Sequence, residues 1–62
     1  MNLDVIFEFQ QHGNSVKVTA IDVDSLVEVS IVGPAGAGQA ALKAVALNKL
    51  KYVLAKRGEG KE

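Results

Sequence analysis

Cysteine and tryptophan are absent from this sequence, and proline and histidine occur once each, as Pro34 and His12. Without cysteine there is no disulfide staple, no thiolate nucleophile and no cysteine-rich structural zinc site. A lone histidine beside a turn has no neighbours in the sequence that would make it a triad member or a metal ligand. His12 therefore reads as a solvated turn residue. No apolar run approaches the roughly 20 residues of a membrane-spanning helix. The opening segment "MNLDVIFEF" has no basic stretch followed by an apolar one, so it does not read as a secretion signal. The expectation is a cytoplasmic protein without membrane contact.

What remains is short and polarised. A chain of 62 residues is near the lower edge of what folds without staples, which leaves core packing and oligomerisation as sources of stability. The formal net charge is zero, but it is divided along the chain. Residues 1–32 carry Asp4, Glu8, Asp22, Asp24 and Glu28 against Lys17, a net −4. Residues 33–62 carry Lys43, Lys49, Lys51, Lys56, Arg57 and Lys61 against Glu59 and Glu62, a net +4. Halves of opposite sign attract, within one chain or between two.

Three segments alternate with period two. Val5, Phe7 and Phe9 share one face of the first, Val16, Val18 and Ala20 of the second, and Val27, Val29 and Ile31 of the third. A wholly apolar face on each is the mark of a half-buried strand. Gly13-Asn14, residue types that tolerate positive φ, fit a two-residue turn that pairs Phe9 with Val18 and Phe7 with Ala20. A second turn with Val23-Asp24 at its tip pairs Ala20 with Val27 and Val18 with Val29. From Gln39 to about Arg57 the period becomes helical: Leu42, Ala46, Leu47, Leu50, Val53 and Leu54 fall on one face. Lys56 and Arg57 suit the last turn, and Gly58 is a stop signal. The reading is an α+β domain over residues 1–57, a three-stranded antiparallel meander packed by one C-terminal helix (β-β-β-α), with residues 58–62 a disordered tail.

This arrangement leaves surfaces without a cover. On the outer sheet face, Ile6, Ile21 and Leu26 form one greasy row, with Glu8, Thr19 and Glu28 in the next. On the helix, Ala41, Val45 and Tyr52 lie away from the core stripe. These six apolar positions are the candidate interface, and the outer strands leave free edges for a second chain.

Candidates for chemistry are weaker. Gly33 and Gly38 have the spacing of a phosphate-binding loop, but Gln39 and Ala40 stand where lysine and a hydroxyl residue belong. No strand follows the helix, which removes the dinucleotide version. The stretch "VGPAGAGQAAL" reads as a hinge, with Gly33-Pro34 turning the chain off the sheet and Gly36 and Gly38 allowing close return. "DVDSLV" starts like a calcium loop, but Leu26 and Val27 occupy a ligand position and the required glycine. Glu8 and Glu28, across Thr19, would project from an open face with no cleft to desolvate them. An enzyme is not expected, and no cofactor or metal is. Nucleic-acid binding is the rival class, through Lys43, Lys49, Lys51, Lys56 and Arg57. The sheet face that would enter a major groove offers Lys17 against Glu8 and Glu28, and only Tyr52 is placed to stack on a base.

The blocks "VIFEF", "GNSVKVTAID", "EVSIVGPAGAG" and "KLKYVLAKR" resemble a family of short, uncharacterised bacterial proteins classed as a domain of unknown function. The resemblance covers nearly the whole chain except the tail, and it implies a stand-alone protein with no assigned activity. It assigns no site residues. The expectation is a self-associating interaction module or accessory subunit, a dimer with room for a further protein partner.

Overall fold

The computed structural model describes residues 4–60. Strand β1 spans Val5–His12, β2 Ser15–Asp22 and β3 Glu28–Pro34; a single 3₁₀ turn, Ala35–Ala37, leads into helix α1, Gln39–Gly60. The three strands form one antiparallel sheet in the order β1-β2-β3. The β-β-β-α arrangement is the one that the change of period predicts.

The first hairpin has the expected register, with Phe7 opposite Ala20 and Phe9 opposite Val18. Its turn takes positive φ at Gly13 (62°) and not at Asn14. Positive φ at the first central residue alone belongs to the glycine-first, type II′ class, whose twist matches that of the strands.

The second hairpin departs from expectation by two residues. Ala20 pairs with Val29, Val18 with Ile31 and Ile21 with Glu28. The cause is local chemistry at Asp22. Its Oδ2 accepts from the Ser25 hydroxyl at 2.6 Å and the Ser25 amide at 3.1 Å. Its carbonyl accepts from the Leu26 amide at 2.7 Å, and its own amide donates to the Val27 carbonyl at 2.9 Å. Residues 23–26 are therefore a wider loop, and Leu26 closes it with φ at 64°. A two-residue slip preserves the faces, because side chains alternate with period two. Val27, Val29 and Ile31 thus still point at the core.

That core is entirely aliphatic: Val18, Ala20, Val29, Leu42, Ala46 and Leu50 are buried. From the helix, Leu42, Ala46 and Leu50 are its buried members, with Val53 and Leu54 packed against it and Leu47 half-buried. Gly33 is the point of closest approach. A Cβ there would overlap Leu42 Cδ2, whereas one at Gly36 would meet open space. Gly38 contributes a φ of 90° ahead of the helix. Close return of the chain thus depends on Gly33, and Gly36 takes no part in it.

The helix does not stop at Gly58 but runs to Gly60. Glycine costs a helix only about 1 kcal/mol relative to alanine, and its amide still donates to the preceding turn. Residues 61–62, the remainder of the expected tail, lie outside the described residues. At about 1.5 Å per residue the helix is roughly 33 Å long and outruns strands of about 25 Å. The radius of gyration is accordingly 12.4 Å, against about 10.6 Å for a compact chain of this length. Among the described residues, no helix is long and apolar enough to cross a membrane.

Three substitutions test this arrangement. Leu26 is 75 % exposed and holds a backbone conformation that asparagine adopts more readily. Leu26→Asn should raise the unfolding free energy by up to about 1 kcal/mol in urea titrations. Gly33→Ala should lower it by about 1–3 kcal/mol through overpacking against Leu42, while Gly36→Ala should not.

Candidate interaction surfaces

The helix follows β3 and returns antiparallel to it, resting on β2 and β3. It does not extend over β1 in the same way. Val5, Phe7 and Phe9, which share the inner face with Val18 and Ala20, are consequently only half-buried. The Lys43 ammonium lies 4.9 Å from the centroid of the Phe7 ring, a cation–π contact at the border of this strip. Beyond it, a groove of about 250 Å³ opens between Phe9, Gln11 and Val16 on the sheet and Gly38, Gln39 and Leu42 at the start of the helix.

The two edges of the sheet differ. In the first hairpin, the flanking pair His12–Ser15 exchanges hydrogen bonds, so Gln10, Glu8 and Ile6 also bond towards β2. The Val23 amide on the Asp4 carbonyl, 3.0 Å, continues the same alternation. The backbone groups of Val5, Phe7, Phe9 and Gln11 therefore point outward from β1. On β3 the outward residues are Glu28, Ser30, Val32 and Pro34. There Lys49 Nζ donates to the Ser30 carbonyl at 2.8 Å, and Pro34 has no amide to offer. A lysine and a proline on the edge blunt strand addition. The β1 edge carries neither.

The expected outer row is changed by the register. Ile6 and Ile21 are directly opposite each other, but Glu28 occupies the third place. Leu26 stands in the loop instead, because the Asp22 contacts widen the turn. Ile6 is 51 % exposed and Ile21 half-buried. The same shift separates Glu8, opposite Thr19, from Glu28, opposite Ile21, so the two carboxylates no longer share a row. Thr19 is buried even on this face, with Oγ1 3.0 Å from Ser30 Oγ. Val32 is exposed opposite Lys17, a position that only the correct register reveals.

On the helix, Ala41, Val45 and Tyr52 are all exposed. Their spacing places them on the flank shared with Lys49, beside the β3 edge. Lys56 Nζ lies 5.9 Å over the Tyr52 ring on the same flank. The five cations of the nucleic-acid reading do not form one stripe. At about 100° per residue, Lys43 and Lys49 straddle the core line, Arg57 falls close to it and Lys51 lies nearly opposite.

Charge is gathered by ends. Asp4, Asp22, Asp24 and Glu28 stand at the end of the sheet where β1 begins and β2 finishes. The helix runs towards that end, bringing Lys51, Lys56 and Arg57 with it. Asp22 is buried, and its Oδ1 has no hydrogen-bond partner among the described residues. The Ser25 hydroxyl chiefly holds its carboxyl below the ordinary value of 3.8; the Ser25 and Asp24 amides add to this, and burial opposes it.

A carboxylate with a lowered folded-state pKa stabilises the fold above its unfolded value and ceases to do so as pH falls through the folded value. Acid titration of the unfolding free energy should show stability declining as pH drops below 3.8. Asp22→Asn should make that decline shallower; an unchanged slope would remove Asp22 from the acid response.

Neither the curated proteins nor the solved structures contain a match to this chain. A family model described as "Domain of unknown function (DUF6898)" matches residues 2–57, nearly all of the β-β-β-α unit, and the chain belongs to that family.

Proposed function

We propose that this protein is a small self-associating module, a dimer in solution, that works by presenting a contact surface rather than by catalysis. The observation that carries this reading is the position of its aromatic residues. The sequence holds two phenylalanines and one tyrosine. None of them belongs to the buried core: Phe7 and Phe9 are half-buried on the uncovered strand, and Tyr52 is exposed on the helix. Phe and Tyr are enriched in interface cores relative to the rest of the surface, and Tyr at the energetic centres as well. A chain that keeps its fully buried core aliphatic and leaves its aromatics at the margin or on the surface offers them for contact. The incomplete cover over β1 and the exposed Ile6, Val45 and Tyr52 support the same reading.

The alternative, nucleic-acid binding through the helix, is left with cations spread around the helix and partly engaged by Phe7 and the Ser30 carbonyl. Phosphate tracking is favoured by a continuous basic stripe.

Sedimentation equilibrium at micromolar concentration should return the mass of a dimer, with little change between low and moderate salt. A strict monomer at all concentrations would overturn the proposal. Salt-sensitive retention on DNA or RNA, with no dimer, would favour the helix cations instead.

A further inference from the structure

We infer that the partner is a second copy of this chain, joined edge to edge through β1 in an antiparallel pairing centred on Phe7. The inference rests on the self-association reading and adds which surface carries it. The two edges of the sheet are unequal: on β3 Lys49 bonds an outward carbonyl and Pro34 removes an amide, whereas on β1 Lys43 meets the Phe7 ring and not the edge backbone, which borders the half-buried apolar strip. Pairing β1 with the partner's β1 about a twofold axis continues the sheet to six strands with both helices on one face. It satisfies the outward backbone groups of β1 and extends the cover over Phe7 and Phe9 in the same step.

The register follows from charge and parity. Inner-face residues must meet inner-face residues, which leaves only pairings in which odd positions face odd positions. Centring on Glu8 would set that carboxylate against its own copy. Sliding so that Ile6 meets its own copy would set Glu8 against the partner's Asp4. Directly opposed like charges destabilise a sheet. Centring on Phe9 sets Phe7 against the partner's Gln11, wasting an aromatic face. Centring on Phe7 sets Phe7 against Phe7 and Val5 against the partner's Phe9, with Ile6 against the partner's Glu8. Because the backbone groups of Val5, Phe7 and Phe9 are the outward ones, each of these inner pairs exchanges both of its hydrogen bonds. On the outer face, Asp4 then lies beside the partner's Gln10, one strand from the partner's Lys17, the only cation of the sheet.

The chain is short enough for chemical synthesis, which allows a backbone test that leaves every side chain in place. N-methylation of Phe7 removes an amide that makes no bond to β2. The variant should fold as the parent does by circular dichroism and dimerise at least about tenfold more weakly, each copy losing one bond and meeting a methyl group. N-methylation of Ser30, outward on β3, should leave the dimer unchanged. Amide exchange in the parent dimer should be slow at Phe7 and Phe9 and fast at Ser30 and Val32. A dimer that is indifferent to the Phe7 methyl, or is weakened by the Ser30 methyl, would overturn the β1 pairing while leaving self-association intact. A parent chain that never dimerises would overturn both.

Discussion

Leu42 rests where Gly33 has no side chain, and the placement of the helix depends on that contact. Gly33 is the last inner-face residue of β3, and Leu42 is the first buried residue of the helix. Seating one on the other brings the helix axis down close to β3 and β2. Ala46 and Leu50 then follow at single-turn intervals over Val18, Ala20 and Val29. Small side chains at Ala20 and Ala46 let sheet and helix approach closely, which is what fully buries Leu50 in so short a chain. The 2.7 Å bond from the Ala35 amide to the Asn14 carbonyl ties the start of this return to the first hairpin loop.

The same seating has a cost at the other side of the sheet. One helix about 10 Å across covers roughly two strands spaced about 4.8 Å apart. A helix held to β3 by Gly33 and Leu42, and along its flank by Lys49 on Ser30, therefore cannot also cover β1. Phe7 and Phe9 pack at the margin of the core, where Lys43 meets the Phe7 ring, and stay half-buried. The unequal edges and the half-buried aromatics are thus two results of one placement.

Part of this arrangement is legible in the sequence and part is not. The faces of all three strands follow from period-two alternation, and the first hairpin follows from Gly13, because both are local signals. The second hairpin follows only in part. Alternation specifies a face but not which of two same-face registers is used, and the choice fell to the Ser25 hydroxyl bonding the Asp22 carboxylate. Nothing in a simple tip assignment contains that bond. The candidate interface suffered accordingly: Leu26 left the outer row for the loop, while Ile6 and Ile21 stayed paired. The half-covered β1 was not legible at all. It depends on where a helix axis lies across the sheet, which is set by a tertiary contact and not by any periodicity.

The polarised charge bears on the surfaces in a related way. The acidic end of the sheet and the basic end of the helix lie at the same end of the molecule, so opposite charges attract within one chain. That attraction is screened over about 8–10 Å at ordinary salt. Charge of this kind steers and orients a partner more than it holds one. In the proposed dimer the holding energy comes from apolar surface and from backbone groups that would otherwise face water, and β1 is where this chain offers the two together.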